Sequence, residues 1–159
     1  MIFVTVGTQL AFDRLIQAVD AWAGQHPAEK VFAQIGPGSY QPKHCEFADF
    51  VPPDRANALF RDADLIVSHA GMGSILTALR YRKPILVLPR KASMGEHRNE
   101  HQLATAKWLG KKPGVFVADA AENIAAILSA RSDLKSGEGI SEYADPAFTA
   151  RLKSCIDAA

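Results

Sequence analysis

Short apolar runs, each stopped by Gly, Ser or Pro, alternate along this chain with amphipathic segments, and that rhythm implies βα units around a mostly parallel sheet. Residues 2–6 are nearly all β-branched or aromatic, the pattern of a strand covered on both faces, and Gly7-Thr8 makes the turn after it. A helix is expected over 12–22, where Phe12, Leu15, Ile16, Val19 and Trp22 share one stripe. A second strand over 31–35 stops at Gly36-Pro37-Gly38-Ser39, which cannot continue regular structure. Residues 45–51 read as a short strand or extended segment before Pro52-Pro53, with Asp54 as the N-cap of a helix through Arg61.

The second half repeats the pattern. Leu65-Ile66-Val67-Ser68 is the clearest strand, and it runs into His69-Ala70-Gly71-Met72-Gly73-Ser74 and a helix to about Tyr81. A strand over 85–88 is closed by Pro89. A polar loop over 90–96 leads into a helix whose apolar members are Leu103, Ala104, Trp108 and Leu109. Residues 115–117 and 121–128 supply a last strand and helix. The stretch 131–142, rich in Ser, Gly and charge, reads as an exposed loop, and 146–156 as a terminal helix with Pro in its first turn. The expected fold class is α/β, a Rossmann-like, mostly parallel sheet with helices on both faces. No repeat or boundary interrupts it, so 1–159 is expected to be a single domain with its core over about 1–130.

Composition narrows the partners. Apolar residues make up 48% of the chain, ample for one core, and the net charge of +1 sets up no global field toward nucleic acid or an anionic membrane. The only cysteines, Cys45 and Cys155, are far apart and lack metal-ligand spacing, which suits a reducing cytoplasm. The N-terminus lacks the basic flank and long apolar run of a signal peptide, and no stretch approaches the roughly 20 apolar residues of a membrane span. Any membrane role is expected to come through a partner.

In an open parallel sheet, ligands bind beyond the carboxyl ends of the strands. The strongest candidate there is the 68–74 loop. Its two glycines let backbone approach a ligand, and the helix that follows offers free N–H groups and the positive end of its dipole to a diphosphate, with Ser74 adding a hydroxyl. Tight packing alone would also account for a Gly-x-Gly turn, but His and Ser flank this one at a strand end. No Lys follows the second glycine and G-x-G-x-x-G is not completed, so neither ATP hydrolysis nor dinucleotide binding is favoured.

The run from Asp64 to Leu76, with Lys83-Pro84 and Val87-Leu88-Pro89, resembles the C-terminal domain of glycosyltransferase family 28, the donor-binding half of a GT-B fold. It is most similar to the small subunits that pair with a membrane-anchored subunit in dolichol-linked and exopolysaccharide sugar transfer. The likeness covers most of residues 1–130. It implies a diphosphate site at Gly7, Thr8, His69, Gly71, Met72, Gly73 and Ser74, and backbone contact of Phe50-Val51 with a uracil edge. Thr77 stands where many relatives carry a ribose-binding carboxylate, which passes that role to Glu96 or Glu100. His101-Gln102 fall at the sugar-contact position, Gln102 being the best candidate. Glu96, His97, Asn99 and Glu100 are further candidates for sugar, phosphate or acceptor, with a solvated helix face as the alternative for each. Arg90 and Lys91 read as a solvated pair of charges that could neutralise phosphate.

The resemblance further implies inverting, metal-independent transfer from a UDP-sugar to a lipid-linked saccharide acceptor, in exopolysaccharide synthesis. It implies no cofactor and no metal. Because a GT-B enzyme closes two domains on its donor, the acceptor-binding half is expected on a membrane-anchored partner, which would hold this chain at the inner face of the membrane; self-association is left open. His69 and Glu96 are the candidate catalytic groups, with His97 and His101 behind them. A non-catalytic regulatory subunit and an epimerase-like enzyme remain as alternative readings.

Overall fold

The computed structural model describes residues 1–141 and 143–158. The strands are β1 (Ile2–Thr5), β2 (Val31–Gln34), β3 (Glu46–Ala48), β4 (Leu65–His69), β5 (Ile85–Leu88) and β6 (Val115–Val117), and they form one sheet in the order β3-β2-β1-β4-β5-β6. Every pairing is parallel: Ile2 lies opposite both Val31 and Leu65, and Ile85 lies opposite both Ile66 and Val115. The helices are α1 (Asp13–Gln25), α2 (Pro53–Asp62), α3 (Met72–Arg80), α4 (His101–Leu109), α5 (Ile124–Ser129) and α6 (Pro146–Asp157).

Alternation along the buried strands sorts the core into two layers. Ile2, Val4, Val67, Leu86 and Leu88 face a cluster built on Leu15, Ile16, Val19 and Trp22 of α1 and on Ile124 and Leu128 of α5. Phe3, Ile66, Ile85 and Val87 face the opposite cluster, with Phe60 of α2, Ile75 and Leu79 of α3, and Ala106 and Leu109 of α4. Strands covered on both sides are apolar along most of their length and carry no polar alternation, with Thr5, Gln34 and Ser68 as buried polar residues near their carboxyl ends.

Several local expectations are corrected. The N-cap of α2 is Pro52 rather than Asp54: the fixed φ of proline suits Pro53 to the first turn and starts the helix earlier. Helix α4 buries Gln102, Ala106 and Leu109, an i, i+4, i+7 stripe, and turns Leu103, Ala104 and Trp108 outward. Gln102 can be buried because its Oε1 accepts the backbone N–H of Arg90 at 3.0 Å. The described part of the stretch after α5 is largely exposed and irregular, as expected, but it is tied down at points. It opens with a 3₁₀ turn over Arg131–Asp133, Arg131 pairs with Glu29, and a Cβ on Gly137 would lie 2.2 Å from the Pro113 carbonyl oxygen. The last residue of that expected loop, Glu142, and the terminal Ala159 lie outside the described residues. Helix α6, capped by the Asp145 carboxylate on the N–H of Ala147 and Phe148, has no buried residue.

Candidate active site

Strand order reverses between β1 and β4, so the connections leaving those two strands diverge and open a crevice at the carboxyl edge of the sheet. A cleft of about 600 Å³ lies there, within the usual range for a small-molecule site. One rim is the turn after β1. Gly7 has φ +79°, its N–H donates to Thr5 Oγ1 at 3.1 Å, and its carbonyl accepts from Gln34 Nε2 at 2.9 Å. Thr8, Gln9 and Leu10 continue this rim.

The other rim is the start of α3. Gly71 is its N-cap in an extended conformation with no side-chain cap, which leaves the first-turn N–H groups of Met72, Gly73 and Ser74 without helical partners at the positive end of the dipole. All three residues line the cleft, and a Cβ on Gly73 would meet no atom within 4 Å. Thr77, one turn on, also lines it and donates its hydroxyl to the Gly73 carbonyl at 2.7 Å.

His69 sits between the rims. A Cβ on Gly7 would lie 3.0 Å from its Cε1, and one on Gly71 would lie 2.1 Å from its Nε2, so the imidazole occupies the space both glycines leave. Its Nδ1 is 3.3 Å from Ser68 Oγ. Burial first, then the charge of Arg90, push its pKa down to about 4, against the opposing pull of a hydrogen bond to the Thr5 backbone. The ring is therefore neutral near pH 7, a hydrogen-bonding group and not a cation.

Of the polar residues after β5, Gln102 and His97 line the cleft. His97 Nδ1 accepts the Asn99 N–H at 3.3 Å. The carboxylates expected here are engaged elsewhere. Glu96 meets Arg14 in a two-pronged pair at 2.7 and 2.8 Å and accepts the Lys91 N–H at 2.9 Å. Burial alone would raise its pKa, but Arg14 and the Lys91 N–H outweigh it and hold the carboxyl below its ordinary value. Glu100 accepts the N–H of Ala92 and Ser93, and Asn99 Oδ1 accepts that of His101. Glu96, Asn99, Glu100 and His101 are not among the residues lining the cleft, so the structure does not bring them to it with Gln102 and His97. Val51 belongs to the core, while the exposed Phe50 lines a separate hollow of about 380 Å³ with Thr8, Gly36 and Asp49.

Of the other lining residues, Phe60 carries no signal in the sequence, and Arg90 is expected only as a solvated charge that could neutralise phosphate. Phe60 packs edge-on against Phe3 at 5.2 Å and reaches the cleft. Arg90 is buried and not solvated, because the Val6 and Leu10 carbonyls and the Phe12 ring receive it from about 80 residues away. Only the fold brings them together.

A family model described as the glycosyltransferase family 28 C-terminal domain matches residues 1–136. A curated relative, the UDP-N-acetylglucosamine transferase subunit ALG13 of Homo sapiens, is 35% identical over 125 residues, 72% of this chain and 11% of that protein. The subunit of the same name from Saccharomyces cerevisiae is 40% identical over 47 residues, 29% of this chain and 23% of its own length. The chain thus matches well under two thirds of either relative. Among solved structures, the NMR solution structure of ALG13 aligns over 95% of this chain and 94% of its own at a TM-score of 0.62 and 19% identity. The crystal structure of the glycotransferase of kitacinnamycin aligns over 96% and 37% at a TM-score of 0.63 and 21% identity. At such identities the likeness is one of fold, the doubly wound half of a GT-B glycosyltransferase. Since the family model spans both rims of the switch-point cleft and all six strands, the chain belongs to the family of glycosyltransferase family 28 C-terminal domains.

Proposed function

We propose that this chain is the donor-binding part of an inverting glycosyltransferase that takes a UDP-sugar, with UDP-N-acetylglucosamine as the donor its relatives' names favour. The observation that carries the reading is the uncapped N-terminus of α3 facing a cleft with no acidic lining residue among the described residues, an arrangement suited to a diphosphate. The diphosphate rests on the N–H groups of Met72, Gly73 and Ser74, the sugar extends toward Gln102 and His97, and Thr77 and Phe60 lie on the nucleoside side. The acceptor hydroxyl attacks the anomeric carbon, the bond to the diphosphate breaks, and UDP leaves with the electron pair, stabilised by the helix dipole.

The proton of the acceptor needs a base. His69, at about 4, is a weak proton acceptor near neutrality, and Glu96 is held by Arg14. We therefore assign the base to a partner subunit, membrane-anchored and bearing the lipid-linked saccharide acceptor, which would keep this chain peripheral to the inner membrane face. The relatives' names speak for N-acetylglucosaminyl transfer and carry nothing on exopolysaccharide assembly, which the reading leaves out. Binding is expected to be independent of metal and cofactor. Calorimetric titration with UDP, UDP-N-acetylglucosamine, UDP-glucose, UDP-glucuronate and ADP, with and without EDTA, tests this. UDP ligands should bind equally in EDTA and better than ADP; a preference for ADP, or a strict need for metal, would overturn it. Full-rate transfer to a lipid acceptor by the chain alone would remove the partner from the scheme.

A further inference from the structure

Arg90 follows β5 directly and is only 2% exposed, yet it lines the cleft. Nη2 of its guanidinium donates to the carbonyls of Val6 and Leu10 at 2.7 and 2.8 Å, and the group lies 5.0 Å from the centroid of the Phe12 ring. Its Nε is buried and has no acceptor among the described residues. No carboxylate among those residues forms an ion pair with it: Glu96, which lends it some attraction, is already matched by Arg14. A buried cation without a counter-charge and a buried donor without an acceptor are each unfavourable, and together they point to a missing anion. Among the described residues Arg90 is the only lysine or arginine lining the cleft, and no acidic one lines it.

We propose that Arg90 is a binding residue for the donor's diphosphate, supplying there the full positive charge that the helix dipole of α3 provides only in part. The assignment rests on the reading of this cleft as the diphosphate site. It gives Arg90 two tasks, since the same guanidinium that would bind the ligand also fixes the Gly7–Leu10 rim through Nη2. The two tasks respond differently to ligand charge. A residue that only holds the rim affects uridine, UMP and UDP by one common factor. A residue that meets the diphosphate affects them in order of their charge.

The test titrates wild type and Arg90→Gln with uridine, UMP, UDP and inorganic pyrophosphate at two salt concentrations. Arg90→Gln should weaken UDP and pyrophosphate about 10- to 100-fold more than uridine, the loss of one charge-assisted hydrogen bond beyond any common factor from the rim, with a shallower salt dependence. Equal loss for uridine and UDP would overturn the proposal and leave Arg90 as a rim support. Should the variant not fold, the wild-type Nε–H resonance of Arg90, identified by its disappearance in Arg90→Lys, carries the test. It should move on adding UDP or pyrophosphate and stay still with uridine. UDP binding that leaves it unmoved sinks the Arg90 assignment alone. A shift with pyrophosphate but no binding of UDP supports Arg90 and sinks the UDP-sugar reading.

Discussion

The His69 imidazole occupies the volume that a side chain at Gly71 would need: a Cβ there would sit 2.1 Å from Nε2. That contact makes Gly71 a packing glycine, whereas Gly73 two residues on faces open cleft. Gly71→Ala should push the ring out of place and lower stability by about 1–3 kcal/mol through overpacking. Gly73→Leu should leave the melting temperature near wild type and abolish UDP binding, because its side chain fills the ligand's approach to the α3 amides. Thermal melts paired with calorimetry separate the two. Unchanged UDP affinity in Gly73→Leu would show that the site lies elsewhere.

A neutral His69 has a pH signature. Its pKa is lowered to about 4, below the ordinary value of 6.5, so between those two values the unfolded chain binds the extra proton and the folded chain does not. Stability from this residue is therefore complete above pH 6.5, falls as pH is lowered from 6.5 to 4, and falls no further below that, a total of about 3 kcal/mol at most. Urea denaturation at pH 7 and pH 4.5 should show this loss in wild type and a smaller loss in His69→Gln. Equal slopes in both proteins would mean that the imidazole titrates normally.

How far the sequence reveals the molecule depends on the range of the interaction involved. The strands over 85–88 and 115–117 are read to the residue, because a strand covered on both faces announces itself in consecutive apolar positions. The glycine turn of β4–α3 is equally legible, since Gly71 and Gly73 follow an apolar run and open an amphipathic one. Helix α4 is misread because apolar periodicity favours Leu103 and Trp108, while the N–H of Arg90 makes a buried Gln102 acceptable. The burial of Arg90 and the pairing of Glu96 are illegible for the same reason: their partners Val6, Leu10 and Arg14 lie some 80 residues away and only the closed sheet brings them within reach.

The two tryptophans test the corrected face of α4. Trp22 is 1% exposed, with its indole N–H donating to Ser129 Oγ at 3.1 Å, and Trp108 is 63% exposed. Trp22→Ala should cost about 3–5 kcal/mol and Trp108→Ala less than about 0.5 kcal/mol. Emission spectra offer an independent check. Acrylamide should quench Trp108 readily and Trp22 hardly at all, and a buried response from both would return Trp108 to the core.

Asp20 holds the loop between β2 and β3 from inside α1. Its carboxylate is 1% exposed and accepts the Tyr40 hydroxyl and the N–H groups of Lys43, His44 and Cys45 at 2.7–3.1 Å. Burial would raise its pKa, but these four donors outweigh that and hold it below its ordinary value. Burial, with Asp20 adding to it, pushes the Cys45 thiol up to about 12. In the folded protein iodoacetamide should label the exposed Cys155 and spare Cys45. Asp20→Ala, which strands four donors, should lower stability by about 3 kcal/mol and make Cys45 reactive. Labelling of Cys45 in the wild type at the rate of Cys155 would contradict the shielding of its thiol.

The Arg14–Glu96 pair decides between a structural and a chemical carboxylate. Both side chains are mostly buried, and the second Glu96 oxygen also accepts the Lys91 N–H, so the pair ties α1 to the loop after β5. Breaking it from either side leaves the other charge short of partners in a low-dielectric setting, which costs about 2 kcal/mol, whereas removing both leaves no orphaned charge. Glu96→Gln and Arg14→Met should each destabilise, and the double variant should destabilise by less than their sum. A carboxylate that served as general base would behave otherwise. Its loss would reduce turnover in the assembled enzyme by about a hundredfold or more while the melting temperature held. Melts of the four proteins, with transfer assays in the presence of the partner, therefore read two different quantities, and a turnover defect in Glu96→Gln that Arg14→Met does not share would restore Glu96 to the chemistry.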